Sequence, residues 1–345
     1  MTLLALMASF ETAFAQPHAP SERSVPDARI DGLLRRGDPA GARPDELSVR
    51  AVSQSEEVRP DALVGAASRA TAQSTVIPWN PRRSVTFKAP AGDVGIALPE
   101  SSALGEGRVL DGTRVVFRSQ DKDEVFTVES VEGATRIHHL IGSPSAPHEA
   151  AYQIELPDEA THEQYDDGSI VFRDPKGVMI AGIAPPWASD ATGRRIPTEF
   201  IFEDSTLTQR VDVEGLDVSY PLVADPFMGK MLFHKFNASK WFRGERVYSG
   251  TKTAWGQAIH NGSAGDPSGW IGGVVAGQSI MRNEGWAEWK GVFGKAVTSK
   301  ATMYQQYSCH VLGGFYDWAG DWNLERARTD NPNWWATVAF HLCNW

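Results

Sequence analysis

Four side chains that could exchange protons lie near the end of the chain. They are His310, Asp321, Glu325 and His341. A histidine within hydrogen-bond reach of a carboxylate is an arrangement used in general acid–base catalysis, so these four are the candidate catalytic residues. The competing interpretation is structural, with Glu325 paired to Arg328 across one helical turn and His310 buried in a core.

Two cysteines, Cys309 and Cys343, bracket most of this segment and are the only cysteines in the chain. In an exported protein an isolated pair of this kind indicates one disulfide. The alternative is a metal site that adds His310 and His341 to the two thiolates. Adjacent Cys and His side chains rarely point at one ion, and zinc sites favour cysteines about two to four residues apart. We therefore predict a Cys309–Cys343 disulfide, no metal site and no cofactor.

Tryptophan is concentrated in the same part of the chain, because ten of the twelve lie after residue 228. Exposed Trp rings stack on sugar rings, whereas buried ones fill the core of a small domain. The neighbours Trp334 and Trp335 cannot both face inward on one helix, so one or two exposed tryptophans are expected. The candidate binding residues are Trp322, Trp334, Trp335 and Arg328.

Two further patterns are weaker. Glu284 and Glu288 would share a helix face, and paired carboxylates hydrolyse glycosides, although solvated acidic faces are far commoner. Ser249 and Lys252 fit the S-x-x-K pattern of serine acyl enzymes, but the companion S-D-N and K-T-G patterns are absent.

Charge separates the chain into two parts. The formal net charge is −10, and residues 228–345 carry 12 Lys+Arg against 8 Asp+Glu, which is +4 and leaves −14 for the rest. The acidic majority argues against general nucleic-acid binding.

The first residues predict export. A short apolar run at residues 3–8 is followed by Ala13 and Ala15 in the small-x-small pattern that signal peptidase accepts, so residues 1–15 are interpreted as a signal peptide. No Lys or Arg precedes Arg23, which leaves open an apolar N-terminal strand or a true start further upstream. No later stretch approaches the length of a transmembrane segment.

Composition then divides the remainder into three parts. Residues 16–75 lack aromatic side chains and are predicted to be a flexible linker or pro-segment, with a short helical patch near Ile30. Residues 76–226 contain short alternating runs between turn signals, which predicts an antiparallel β-sandwich-like scaffold. Residues 228–345 are predicted to be a small, disulfide-closed α+β domain, so the fold class is mainly β.

Three separated blocks near the end of the chain carry a family resemblance. They are YQQYSCH at residues 304–310, WNLERAR at 322–328 and CN at 343–344. Their order resembles the family called domain of unknown function 2599, found in secreted actinobacterial proteins, and this resemblance implies no activity. APPWASD at residues 184–190 and YPLVADP at 220–226 resemble a β-rich module of large secreted actinobacterial proteins of the Rhs type, where it looks like a scaffold.

These observations together predict a secreted protein, extracellular or associated with the cell envelope, that acts as a binding or interaction protein. The expected partners are cell-wall polysaccharide or another surface protein, and neither nucleic acid nor a transmembrane segment is expected. The alternative is a secreted effector or hydrolase whose activity lies in residues 228–345.

Overall fold

The chain is mainly β, with antiparallel sheets followed by a region of mixed helices and strands, as the sequence predicts. The structure is a computed structural model that describes residues 25–37, 44–45, 47–49, 65–68, 74–88, 92–262, 270–313 and 320–345. The predicted signal peptide at residues 1–15 lies outside this range.

The first eighteen strands of the described chain form two antiparallel sheets. They are β1 Leu47–Val49, β2 Gly65–Ser68, β3 Ser74–Pro78, β4 Val85–Lys88, β5 Val94–Ala97, β6 Arg108–Leu110, β7 Arg114–Arg118, β8 Glu124–Val131, β9 Ala134–Ile141, β10 Glu149–Glu155, β11 Thr161–Gln164, β12 Ile170–Arg173, β13 Met179–Ile183, β14 Ala188–Ser189, β15 Thr198–Glu203, β16 Thr206–Val211, β17 Leu222–Ala224 and β18 Phe227–Gly229. One sheet has the order β1-β2-β3-β4-β5-β10-β16-β15. The other has the order β11-β12-β13-β18-β9-β8-β7-β6, with β17 and β14 beside β9.

The two sheets face each other across a shared apolar core. Phe87 and Tyr152 enter it from the first sheet, and Phe126 and Phe172 enter it from the second. Strand β10 alternates exposed and buried residues along its whole length, because successive side chains point to opposite faces of a sheet. This β-sandwich matches the predicted architecture.

Part of the segment predicted to be a flexible linker is instead packed on the sandwich. Helix α1, Asp27–Gly37, buries Ile30, Leu33 and Leu34, and their i, i+3, i+4 spacing forms one apolar stripe. Asp27 at its start pairs with Arg108 and Arg118 of the sheet. The flexible-linker prediction is therefore wrong for this part of residues 16–75. The helical patch expected near Ile30 is present.

The C-terminal unit, defined as the described residues from Lys230 onward, is built from four strands and six helices. They are β19 Phe233–Asn237, β20 Trp241–Phe242, β21 Glu245–Lys252, α2 Ala254–Asn261, α3 Trp270–Ile280, α4 Trp286–Phe293, α5 Lys295–Thr298, α6 Ala301–Gly313, β22 Trp322–Glu325 and α7 Val338–His341. A π-helical turn, Met281–Gly285, joins α3 to α4, and a 3-10 turn, Trp334–Thr337, precedes α7. Strand β21 lies between β19 and β22.

Aromatic rings form the centre of this unit. The ring of Phe233 lies 5.1 Å from that of Trp322, 5.7 Å from Trp289 and 6.2 Å from Tyr307, centroid to centroid. The four rings come from strands β19 and β22 and from helices α4 and α6, so their packing joins the sheet to the helices.

The predicted disulfide is confirmed. Cys309 of α6 is bonded to Cys343, with the two Cα atoms 5.6 Å apart. The bonded sulfurs are not thiolates, and a Cys/His metal site needs thiolate ligands.

Within the described ranges, none of the helices combines the length and apolar character needed to cross a membrane.

The C-terminal unit packs directly on the second sheet of the sandwich. The buried Trp255 lies over Gly182 and Gly229, where a Cβ atom on Gly229 would come within 2.7 Å of the indole ring. Glu132, in the β8–β9 turn, accepts the backbone N–H of Ala254 at 2.6 Å. The close approach of Trp255 needs residues without side chains at both positions.

Candidate functional site

Strand β22 carries the WNLE block and divides it between two faces. Its register pairs Trp322 with Gly250 and Asn323 with Ser249 of β21. Because side chains alternate across a strand, Trp322 and Leu324 point into the core while Asn323 and Glu325 lie on the opposite face. Trp322, a predicted binding residue, is therefore part of the core.

His310 lies against this core tryptophan. Its imidazole stacks on the Trp322 indole with ring centroids 5.3 Å apart and an interplanar angle of 17°. Burial lowers the pKa of His310 to about 4, and a hydrogen bond with the backbone of Asn323 opposes that shift only in part. The ring is neutral at pH 7, and it has the packed position that the structural interpretation expects.

The two candidate acids are each held by a neighbour. Asp321 accepts the hydroxyl of Thr251 at 2.6 Å. Glu325 forms an ion pair with Arg328, three residues along the chain. Arg328 also donates to the backbone carbonyl of Trp345, so these contacts tie β22 to the end of the chain.

His341 uses both ring nitrogens on backbone groups. Nε2 donates to the carbonyl oxygen of Trp334 at 2.9 Å, and Nδ1 accepts the N–H of Cys343 at 3.0 Å. Its ring also packs on Trp345 with centroids 5.1 Å apart. The two hydrogen bonds fix the tautomer and occupy both nitrogens, as in a structural histidine.

The four predicted catalytic residues thus have separate local partners. Among the contacts of the described residues, none joins any two of His310, Asp321, Glu325 and His341. General acid–base chemistry requires groups within hydrogen-bond reach of each other or of one substrate atom.

A buried basic pair that the sequence pattern does not indicate also packs on Trp322. Lys252 Nζ is 3.1 Å from His260 Nδ1, and His260 Nε2 donates to the carbonyl of Val311 at 2.8 Å. The Lys252 ammonium also lies 5.6 Å from the Trp322 ring centroid. Since Nε2 must carry the proton given to Val311, Nδ1 is the acceptor for Lys252.

The S-x-x-K pattern contains Lys252 but does not form a catalytic pair. Ser249 and Lys252 are three positions apart on β21, so they lie on opposite faces of the strand. Ser249 Oγ instead donates to Asn323 Oδ1 at 2.7 Å. Local sequence spacing does not indicate the basic pair, because its two residues meet only when the fold places the end of α2 beside the end of β21.

The carboxylate pair on the helix is also structural. Glu284 forms an ion pair with Arg173 of the sandwich. Glu288 is half-buried, and its carboxylate accepts the backbone N–H groups of Leu232 and Phe233 at 2.7 and 2.9 Å. Burial raises the pKa of Glu288 to about 8 in spite of these two hydrogen bonds.

Aromatic and apolar side chains are exposed at two adjoining places on the C-terminal unit. Trp241 in the β20–β21 hairpin is 61% exposed, and Trp335, Phe340 and Leu342 near the end of the chain are 64%, 89% and 72% exposed. Trp334, the neighbour of Trp335, is half-buried. The adjacent pair is thus divided between partial burial and solvent.

Arginines accompany these rings. Arg246 lies over Trp241 at 4.1 Å from Cζ to the ring centroid, and Arg243 and Arg328 lie over Phe242 at 4.9 and 5.1 Å. In the part of the chain that the structure describes, Arg243 and Arg246 have no carboxylate partner.

Arg328 connects the two places, because it touches Phe242 as well as Asn344 and Trp345. We call the resulting surface the terminal strip. It consists of Trp241, Phe242, Arg243, Arg246, Arg328, Trp335, Phe340 and Leu342. Of the predicted binding residues, Arg328 and Trp335 belong to it.

No family model matches the chain, and no curated protein matches it.

Proposed function

We propose that this is an exported protein that acts by binding, at the cell surface or outside the cell, with the β-sandwich as a scaffold and the C-terminal unit as the binding part. The observation that carries this proposal is the terminal strip. Large exposed aromatic side chains bordered by arginines are typical of recognition surfaces, because the rings offer contact area at low conformational cost and arginine adds directed hydrogen bonds.

The positions of the candidate catalytic residues support binding over catalysis. His310 is stacked in the core and His341 is committed to two backbone groups. Glu325 is neutralised by Arg328. None of these three is presented to solvent as a free acid or base, whereas Trp241 and Trp335 are presented to solvent.

The proposed ligand is a component of the cell envelope, either wall polysaccharide or another surface protein. Flat indole rings stack on sugar rings, and Trp and Arg are the residues most often found at the centres of protein interfaces. Membership of the two secreted actinobacterial families remains a prediction, and it agrees with the proposed scaffold-and-binding arrangement.

A second candidate function is an effector or hydrolase, and the Lys252–His260 contact favours it. A buried lysine beside an imidazole whose tautomer is fixed by a backbone carbonyl is a setting in which an amine can be activated. Lys252→Met would abolish such an activity while leaving envelope binding intact, because Lys252 is not part of the terminal strip.

Co-sedimentation of the full chain with purified cell envelopes tests the proposed function. The double variant Trp241→Ala/Trp335→Ala should bind about ten-fold or more weakly, since Trp side chains at interface centres often contribute that much. The matched control is Val178→Ser/Leu216→Ser, which changes two exposed apolar residues of the sandwich. Equal binding of wild type and both variants would contradict the proposal, as would absence of wild-type binding.

A further inference from the structure

Three exposed apolar residues of the terminal strip, Trp335, Phe340 and Leu342, lie within eight residues of the chain. Phe340 lies in α7, Leu342 follows it directly, and Trp335 lies in the turn before it. Leu342 adopts a left-handed backbone conformation with φ of 45°, which a leucine rarely takes. The backbone of Leu342 is therefore strained, although its side chain is largely exposed to solvent.

The polar part of the strip and its surroundings is mainly cationic. Arg326 and Lys300 both contact Glu245, which lies between Arg243 and Arg246 in the hairpin. Six basic residues lie in or beside the strip, and three acidic residues accompany them. The basic residues are Lys240, Arg243, Arg246, Lys300, Arg326 and Arg328; the acidic ones are Glu245, Glu325 and Asp330.

This combination matches the chemistry of an anionic lipid surface. Trp, Phe and Leu side chains enter the boundary between headgroups and acyl chains, and arginines keep their stems apolar while their guanidinium groups pair with lipid phosphates. A leucine adds little to the recognition of sugars, which need flat rings and convergent hydrogen-bond partners. The exposure of Leu342 beside arginines therefore favours lipid over wall polysaccharide for this part of the strip.

The charge of the whole chain gives the contact an orientation. The residues outside 228–345 have a net formal charge of −14, whereas residues 228–345 have +4. An anionic surface repels the first part and attracts the second. A symmetric dimer through the strip is disfavoured for a related reason, because it would bring together two surfaces that are both mainly cationic.

We propose that the terminal strip docks on the surface of an anionic phospholipid bilayer, with Trp335, Phe340 and Leu342 inserted at the interface and Arg243 and Arg246 on the headgroups. This inference rests on the proposed function, envelope binding through the terminal strip, and assigns membrane lipid to the strip in place of the wall polysaccharide or surface protein proposed there. The protein would lie on the membrane through this edge, with the sandwich held away from it.

Sedimentation of the full chain with phospholipid vesicles tests the inference. Wild type should bind vesicles that contain phosphatidylglycerol and not vesicles of pure phosphatidylcholine, and added salt should weaken the binding because it screens the arginines. Phe340→Ser/Leu342→Ser and, separately, Arg243→Ala/Arg246→Ala should each reduce binding about ten-fold or more. Val178→Ser/Leu216→Ser should bind like wild type.

We expect both strip variants to fold, because the four substituted side chains are all exposed. The Cys309–Cys343 bridge, read by mass spectrometry of the unreduced chain, should stay intact in each. Failure of wild type to bind phosphatidylglycerol vesicles would overturn the inference, as would unchanged binding of both strip variants. A concentration-dependent dimer that the Phe340→Ser/Leu342→Ser change abolishes, without vesicle binding, would assign the strip to a second copy instead.

A lipid-extracted wall fraction separates this inference from the proposed function. Binding to extracted walls without binding to vesicles would leave the proposed function standing and overturn the lipid assignment. Absence of binding to envelopes, extracted walls and vesicles alike would overturn both.

Discussion

The β-sandwich and the C-terminal unit place their polar and aromatic groups in opposite ways. The sandwich buries charge in a row across three neighbouring strands, where Glu129 lies 3.2 Å from Arg114 and 3.6 Å from Arg136. The C-terminal unit buries rings around Trp322 and leaves other rings in solvent beside Arg243 and Arg246, which have no carboxylate partner among the described residues.

The difference agrees with the proposed roles of the sandwich as a scaffold and of the C-terminal unit as the binding part. Buried charges that are matched across strands fix register and remove reactive groups from the surface, which suits a scaffold. Exposed rings bordered by arginines suit a binding surface. We therefore expect perturbations of the aromatic core, the disulfide and the terminal strip to affect the C-terminal unit and to leave the sandwich unchanged.

The largest difference in stability between the two units should come from Trp322→Ala. The indole is fully buried among Phe233, Tyr307 and His310, so its removal should cost about 3–5 kcal/mol of stability. Hydrogen exchange measured by mass spectrometry should rise in α6 and β22 before it rises in β8 and β9. A uniform rise in both units would mean that they unfold as one and would break the comparison.

Loss of the disulfide should have a similar or somewhat smaller effect. The bridge closes a loop with a sequence separation of 34, so the Cys309→Ser/Cys343→Ser variant should lose about 3–4 kcal/mol. The expected result is a lower melting temperature for the C-terminal unit in calorimetry. The sandwich contains no cysteine, so its exchange rates serve as the internal reference, and their acceleration would contradict the prediction.

Between pH 6.5 and 8 the two units should respond differently. The pKa of Glu288 is raised by burial to about 8 when folded, above its value in the unfolded chain, so its stabilisation is complete at low pH and is lost as pH rises toward 8. The loss should be at most about 1.4 kcal/mol per pH unit. In the sandwich, burial raises the pKa of Asp167 only to about 6, so that group adds much less slope in this range.

Urea unfolding at several pH values, followed through exchange in α4 and β19, measures this slope. Glu288→Gln cannot titrate and should flatten it, whatever its absolute stability. A slope that persists in Glu288→Gln would assign the effect to another group.

The smallest effect on stability should come from Trp335→Ala. Its side chain is largely in solvent, so removal should change stability by less than about 0.5 kcal/mol. Thermal unfolding of this variant beside Trp322→Ala sharpens the comparison, because the same substitution tests a core and a surface tryptophan of one unit. A large loss in Trp335→Ala would show that the strip is part of the core.

The sandwich was largely predictable because its signal is local. Alternation and turn residues predict strands at residues 114–118, 198–202 and 206–213, and the structure has strands there at Arg114–Arg118, Thr198–Glu203 and Thr206–Val211. Strand β13, Met179–Ile183, is buried on both faces and shows no alternation, so the pattern missed it.

The candidate site was less predictable because its geometry depends on long-range pairing. The cysteines predict their own bridge, since no other intramolecular pairing exists. No local pattern shows that Trp322 pairs with Gly250 and faces inward, or that His260 reaches Lys252. Residue type alone therefore suggested catalytic roles for His310 and His341, whereas tertiary packing gives each of them a structural partner.

The central claim is that binding resides in the terminal strip, and hydroxyl-radical footprinting of the full chain on purified envelopes tests it most directly. Trp241 and Trp335 should be oxidised in the free protein and protected in the bound protein. Trp187, half-buried in the sandwich, should be oxidised equally in both states. Protection of Trp187 with continued oxidation of Trp241 and Trp335 would place the binding surface on the sandwich and contradict the account.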